Sequence, residues 1–365
     1  MSRAALRGAL LRWYRRHRRD LPWRRSRDPY AIWISETMLQ QTRVETVIPY
    51  YERFLRRFPD METLADADLD DVLGEWAGLG YYGRARNLHR AARVVAEEHD
   101  GALPDSAEGL RTLPGVGRYT AGAVASIAFD RQEPVVDGNV ARVFSRIFGI
   151  REDVRSAAVS ARLWDAAESL ARGAHPGDLN QALMELGATV CTPRAPRCSE
   201  CPVASRCDAR EQGDAESLPV KSRAAEPRSM EAVAAFLLRR GRALAVRRPA
   251  EGLLGGLWDL PGDELAAGER PAPGLRRALA ERVGMAVTGA RRVGSVEHVF
   301  SHRRLRLHVF RAEAPPGRVR RRVFDAHRWL PPAELAWLPQ SAVTKKALRL
   351  VREPAPRAAG RSARA

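Results

Sequence analysis

Over residues 1–210 the spacing of apolar and polar positions reads as mostly helical, with few alternating runs. It predicts helices over 5–19, 29–57, 68–78, 84–99, 119–129, 138–148, 157–171 and 179–190. Gly and Pro punctuate them, at Pro59, Gly78, Gly80, Gly101, Pro104, Pro114, Gly149 and Gly173. The stretch 211–229 is polar, carries two prolines and reads as a linker. After Met230 the pattern changes. Ala232–Leu238 and Ala243–Val246 flank the turn-like Arg239–Arg242 and predict a hairpin. Arg304–Phe310 alternates, with Leu305, Leu307 and Val309 on one face, as a half-buried strand does. Leu275–Val283 reads as a short helix. The expected architecture is a mainly α region over 1–210, an α+β domain over 230–350 and a disordered Arg/Ala/Pro tail over 351–365. No internal repeat is visible.

Length fits this division, since 365 residues suggest two or three domains. No apolar run reaches the roughly 18–20 residues of a membrane span, so no membrane partner is expected. The Arg-rich first twenty residues lack an apolar core, which argues against a signal peptide. Charge is distributed unevenly. The chain holds 61 Lys+Arg against 44 Asp+Glu, a formal net charge of +17. Residues 1–220 carry 31 basic and 31 acidic residues, leaving 30 basic and 13 acidic beyond them. The whole excess therefore lies after residue 220, although the first 27 residues hold ten Arg against one Asp. Such a balance favours a polyanionic partner, with a solvated Arg-rich surface as the plain alternative. Lysine occurs only at Lys221, Lys345 and Lys346, so chemistry that needs a lysine amine is excluded from residues 1–220.

All four cysteines, Cys191, Cys198, Cys201 and Cys207, fall in one C-x6-C-x2-C-x5-C stretch. Four thiolates this close suit one metal centre. Zinc remains the alternative, though structural zinc sites pair two short knuckles and only one is present. The spacing matches the [4Fe–4S] loop of the endonuclease III class of DNA glycosylases. That match implies one [4Fe–4S] cluster with structural standing. Arg194, Arg197 and Arg206 interleave with the thiols and are expected to face phosphates.

Leu113-Pro-Gly-Val-Gly117 precedes an Ala/Val-rich helix. Two glycines permit a tight turn whose backbone N–H groups, at a helix N-terminus, can hold a phosphate. An ordinary helix–turn–helix connection is the alternative. The segment resembles the helix-hairpin-helix motif, with Leu113, Gly115, Val116 and Gly117 as its DNA contacts. Val135-Val-Asp-Gly-Asn139 follows twenty residues after Gly117. In helix-hairpin-helix glycosylases the Asp of that second element sits at the sugar, which implies Asp137; a plain helix N-cap is its alternative role. After Arg118 comes Tyr119, where the bifunctional endonuclease III type carries its Schiff-base lysine. A monofunctional enzyme that uses water is the implication.

Arg19-Asp-Leu-Pro-Trp23, Asp28-Pro-Tyr30 and the run Trp33 to Arg43 complete a resemblance to the bacterial adenine DNA glycosylase family, over about residues 8–345. The resemblance implies removal of adenine mispaired with 8-oxoguanine, and of adenine in A:G mispairs, in base excision repair. Glu36 matches the family's essential glutamate, the proton donor to the departing base. Asp137 matches the sugar-side carboxylate, and Tyr119 and Asn139 match residues that support it. Arg19, Leu21, Trp23 and Gln181 match the adenine pocket, with Gln181 standing where some relatives have Glu. Gln41 and Tyr81 match side chains that wedge into the duplex. The implied partner is double-stranded DNA bearing A:8-oxoG or A:G, bound by a monomer located in the cytoplasm with the bacterial nucleoid.

In the second domain, Gly256-Leu-Trp-Asp-Leu-Pro-Gly262 and Arg277…Glu281…Gly284 resemble the MutT-like (Nudix-like) fold. Ala278 and Arg282 stand where a working Nudix box has Glu, so metal-dependent hydrolysis is not expected there. Phe300-Ser301-His302 matches the loop by which the family reads 8-oxoguanine, with Arg303, Arg304 and Arg306 placed for phosphate. Two competing readings stay open: an endonuclease III-like glycosylase/lyase acting on oxidised pyrimidines, and a catalytically silent cluster protein that binds DNA.

Overall fold

A computed structural model describes residues 2–222, 226–252, 254–300, 303–320 and 323–352. The chain forms two compact units: residues 1–67 with 86–224, and residues 68–85 with 225–365. Grouping 68–85 with the second unit is not visible in the hydrophobic pattern. Within that unit, Trp258 Nε1 lies 3.5 Å from Asp70 Oδ2, and Tyr82 donates to the Gln340 carbonyl at 3.0 Å.

The first unit is helical. Its long helices are Arg3–His17, Pro29–Leu39, Val44–Arg57, Arg118–Phe129, Gly138–Ile147, Ala157–Ala171 and Pro176–Thr189, with all but the first three residues of Gly83–Glu98. One core joins Leu6, Leu10 and Tyr14 to Val140, Phe144, Leu163, Leu170, Leu179, Leu183 and Leu186. Each such side chain contributes roughly 1.5–3 kcal/mol on burial.

Two expectations need correction. The run 29–57 is two helices, broken at Gln40–Arg43. No Gly or Pro marks the break; Gln41 adopts a left-handed backbone (φ 56) and the Thr42 N–H bonds back to the Leu39 carbonyl. The stretch 211–229 is not a free linker throughout. Leu218 is buried, its carbonyl accepts from Arg146 Nε at 3.1 Å, and the Val220 carbonyl accepts from the Val154 N–H. The first strand then begins at Arg228.

The second unit is built on a seven-stranded mixed sheet: β1 (Arg228–Arg239), β2 (Arg242–Arg247), β3 (Trp258–Asp259), β4 (Gly262–Glu264), β5 (Arg291–Val299), β6 (Arg303–Glu313) and β7 (Ala326–Leu330). The main path runs β3-β2-β1-β6-β5, with β4 on β1 and β7 on β2. β1 and β2 form the expected hairpin, Leu238 opposite Ala243. Its two-residue turn places Arg240 and Gly241 in left-handed conformations, which the twist of the strands favours. β1 pairs in parallel with β6 and is buried on both faces, so it reads as a continuous apolar run. Ala232, Ala234 and Phe236 meet Leu305, Leu307, Val309 and the helix Ala342–Arg352 on one face. Val233, Ala235 and Leu237 meet Leu275 and Leu279 of the helix Pro271–Arg282 on the other.

Candidate active site

The site begins with local chain signals. Asp28 caps the helix Pro29–Leu39, accepting from the Tyr30 and Ala31 N–H groups, with Pro29 at its first turn. Every residue from Tyr30 to Met38 is buried, so Glu36 sits in a helix enclosed on all sides. Gly117 caps the helix Arg118–Phe129, which carries Tyr119 in its first turn. Asp137 caps the helix Gly138–Ile147, its Oδ1 accepting from the Val140 N–H at 2.7 Å. The helix Pro176–Thr189 presents Gln181, Met184 and Glu185 one turn apart.

Glycines let these elements meet closely. A Cβ on Gly122 would lie 2.3 Å from the Pro134 carbonyl oxygen, which leads the chain into Asp137. A Cβ on Gly177 would lie 2.4 Å from the Ser126 carbonyl oxygen. Both contacts are with backbone, which cannot move aside as a flexible side chain would.

The elements enclose one cavity of about 150 Å³. Arg19, Leu21, Trp23, Glu36, Tyr119, Asp137, Asn139 and Gln181, all singled out from the sequence, line it together. So do Arg24, Met184 and Glu185, which the sequence reading missed. A cavity this small suits one flat base rather than a large ligand.

Tyr119 donates from its hydroxyl to Glu36 Oε2 at 2.7 Å and lies 3.2 Å from Met184 Sδ. Burial pushes the Glu36 carboxyl up to about 7; the nearby Asp137 adds to this, while the Tyr119 bond and Arg24 oppose it. Tyr119 is held well above its ordinary value by burial and by the two carboxyls, so it remains a donor. Burial also raises Asp137, against the opposing bonds from Val140 and Asn139. Asn139 Nδ2 donates to Asp137 Oδ2 at 2.9 Å, while Arg142 holds Asn139 Oδ1 at 2.9 Å and the Cys191 carbonyl at 2.7 Å. Asp137 is thus an N-cap and a cavity-lining carboxyl at once.

The same cavity is lined by an ion-paired group. Arg19 clasps Glu185 through Nε and Nη2, both at 2.9 Å, and Arg24 Nη2 reaches Glu185 Oε2 at 2.9 Å. Gln181 accepts from the Tyr14 hydroxyl at 3.0 Å, and Trp23 packs edge-on to Tyr51.

The turn Leu113–Gly117 places Gly115 in a left-handed conformation (φ 77), tight against Asn87, while Gly117 faces open space. Leu113 and Val116 are buried beneath it. Gln41 (φ 56) in the first unit and Tyr81 (φ 48) in the second are both left-handed, and Tyr81 is 47% exposed.

The four cysteines line a second, smaller cavity with Val143, Leu186, Val190 and Val203. Arg146, 1% exposed, donates to Cys191 Sγ at 3.3 Å and to the Thr192 and Pro193 carbonyls. Burial pushes the Cys201 thiol up to about 11, so thiolates there call for a cationic centre. The four thiols share this apolar cavity, and a set of four thiol donors has the chemistry of an iron–sulfur cluster site. Of the arginines expected to face phosphates, Arg197 pairs with Glu200 and donates to the Thr189 carbonyl.

In the sheet unit, Arg277, which fits the Nudix pattern, and Arg282, which departs from it, grip the neighbouring acids. Arg282 reaches both oxygens of Asp263, at 2.6 and 2.9 Å, and Arg277 reaches Glu269, Asp263 and Glu281. Phe300 stacks edge-on to His298, and its N–H bonds to the Arg303 carbonyl. Ser301 and His302 lie outside the described residues. Arg306 pairs with Glu297 at 2.9 Å, and Arg303 lies 3.6 Å from Glu264.

Three family models match segments of the chain, and the first of them runs through residues 68–85, which pack with the sheet unit. Residues 34–169 match the HhH-GPD superfamily of base excision DNA repair proteins, 191–207 the iron-sulfur binding domain of endonuclease III, and 232–350 the NUDIX domain. Human adenine DNA glycosylase is 40% identical over 95% of this chain and 74% of its own. A Buchnera aphidicola adenine DNA glycosylase is 39% identical over 58% of this chain and 61% of its own. Among solved structures, a thermostable thymine-DNA glycosylase aligns at TM-score 0.53 and 33% identity, over 57% of this chain and 97% of its own.

Proposed function

The chain belongs to the adenine DNA glycosylase family, and from that premise we propose that it removes adenine opposite 8-oxoguanine, and opposite guanine, by hydrolysis alone. Its partner is DNA, and its loop 191–207 carries a [4Fe–4S] cluster. The observation that carries the mechanism is the single cavity holding Glu36, Tyr119, Asp137 and Asn139.

A base flipped from the duplex enters this cavity. Adenine leaves poorly unless protonated. Glu36, raised to about 7 by burial, holds a proton near neutral pH and donates it to the departing base. Tyr119 orients that carboxyl through its hydroxyl. As the N-glycosidic bond breaks, positive charge grows at the sugar C1′. The Asp137 carboxylate, fixed by Val140 and Asn139, stabilises it. Water adds at C1′, its proton goes to a carboxylate, and an abasic site remains. No lysine occurs before Lys221, which supports hydrolysis without imine-based strand cleavage. Arg19, Leu21, Trp23 and Gln181 form the adenine pocket. Gln41 and Tyr81 enter the duplex, and the 113–117 turn holds phosphate. The cluster supplies a structural staple to the cysteine loop.

The sheet unit, together with Phe300, Ser301 and His302, reads the opposite base. Asp263 and Glu269 are held by arginines, which supports recognition rather than metal-dependent hydrolysis at that place. As a DNA repair enzyme the protein acts as a monomer in the cytoplasm at the nucleoid.

Single-turnover excision from an A:8-oxoG duplex tests the site. Asp137→Asn is expected to abolish excision while keeping DNA binding; equal rates would remove Asp137 from the mechanism. Ser301→Ala with His302→Ala is expected to lower the A:8-oxoG to A:G rate ratio severalfold. An unchanged ratio would remove the loop from recognition.

A further inference from the structure

Glu185 sits in the cavity wall, 1% exposed, and touches neither Glu36 nor Asp137 by any hydrogen bond among the described residues. Nothing in the mechanism above uses it. A fully buried carboxylate is costly unless its partners are good. Here they are: Arg19 reaches it through its backbone N–H at 3.0 Å and two of its guanidinium nitrogens, Nε and Nη2, and Arg24 adds a fourth bond. Arg24 is held further by the Arg19 carbonyl at 3.1 Å and lies over the Tyr14 ring at 5.4 Å. Two guanidinium groups and one carboxylate thus form a fixed cluster in the cavity that Glu36 also lines.

We propose that Glu185 is a positioning residue for the protonation step: by neutralising Arg19 and Arg24 it keeps their charge from drawing the proton off Glu36. This rests on the reading of Glu36 as proton donor. Five charged or titratable groups line the cavity together with Glu36. They are Tyr119 on the helix Arg118–Phe129, Asp137 at the cap of the helix Gly138–Ile147, Arg19 and Arg24 on the segment after the first helix, and Glu185. Arg24 favours the charged form of Glu36, and Asp137 opposes it. Glu185 stays anionic at working pH, its carboxyl held down to about 2 by its arginine bonds despite burial. Losing that negative charge leaves Arg24, the cation that acts on Glu36, uncompensated, and Arg19 with it. The carboxylate form of Glu36 becomes easier, and the donor is spent at lower pH.

The test is the protonation midpoint of Glu36 in the full DNA-free chain, read by isotope-edited infrared absorption of its protonated carboxyl. Glu36→Gln assigns the band. The Glu185→Gln midpoint is expected to fall by about one pH unit. Arg24→Gln is expected to raise it, and Arg24→Gln with Glu185→Gln to bring it back towards wild type. The high-pH limb of single-turnover excision should move with it. The Glu185→Gln rate is expected to be near wild type at pH 5 and roughly tenfold lower at pH 8. A midpoint unmoved in Glu185→Gln, with excision lowered equally at all pH, would assign Glu185 a merely structural role. If Glu185→Gln fails to fold, an unmoved midpoint in Arg24→Gln overturns the proposal just as well. Excision retained by Glu36→Gln would instead overturn the donor reading on which it rests.

Discussion

Glu36 of the helical unit and Glu269 of the sheet unit start from the same chemistry and end far apart. Glu36 is enclosed in a buried helix with a phenol as its donor and no guanidinium within ion-pair distance among the described residues. Its carboxyl rises to about 7. Glu269 is half-buried and is clasped by Arg277 through two bonds of 2.9 Å. The Arg277 bond and the Ala266 N–H hold it down to about 2. A cation beside a carboxyl fixes its charge and ends its use as a proton donor; enclosure without one creates that use. The two units carry similar acidic residues, and the placement of arginine decides which of them can do acid chemistry.

Three substitutions probe the contrast, from the largest effect to the smallest. Glu36→Gln is expected to slow single-turnover excision by roughly 10²–10⁴-fold, the span of general acid catalysis. Its stability moves the other way. Glu36 is raised from 4.5 to about 7 in the folded chain, so the unfolded chain gives up its proton first. Wild type therefore loses stability as pH rises from about 4.5 to 7. Glu36→Gln removes that loss, on the order of 3 kcal/mol at neutral pH. Urea unfolding of both proteins at pH 5 and pH 8 checks this, and a gap that fails to widen with pH would break the comparison.

Arg282→Glu should be next. It replaces a guanidinium bonded to both Asp263 oxygens by a third carboxylate. The expected loss is about 1–2 kcal/mol, seen as a lower denaturant midpoint. An unchanged midpoint would mean that these arginines do not hold the acids of the sheet unit together. Glu269→Gln should be smallest and opposite in pH sense to Glu36→Gln. A depressed carboxyl contributes stability above its unfolded value of 4.5, and that contribution fades as pH falls towards 2. Wild type and variant should differ slightly at pH 6 and converge near pH 2. Divergence on acidification would refute the pairing.

Much of this arrangement was legible in the sequence. The helices 118–129, 138–147 and 157–171 fall within a residue of the pattern, because Gly117, Asp137 and Ser156 cap them by local rules. The strand with Leu305, Leu307 and Val309 on one face follows from simple alternation. The break after Leu39 does not, since Gln41 takes its left-handed turn without a glycine to announce it. The membership of residues 68–85 rests on contacts with residues such as Trp258 and Gln340, far away in the chain. At the site, motif residues were found and Glu185 was missed, because its partners lie more than 160 positions earlier. A faint signal existed: Glu185 stands one turn after Gln181 as the one charge in the run Ala182–Leu186. A charge in an otherwise apolar helix asks for a partner.

The bare glycine contacts at Gly122 and Gly177 carry a mechanical consequence. Where backbone lies on backbone there is no spare volume, whereas the neighbouring cavity holds about 150 Å³ of it. Compression acts on voids and spares close-packed contacts. The frame that aims Asp137 and Tyr119 is therefore the stiff part of the site, and the space for the base is the soft part. Under hydrostatic pressure the cavity is expected to change before the carboxyls that line it lose their aim.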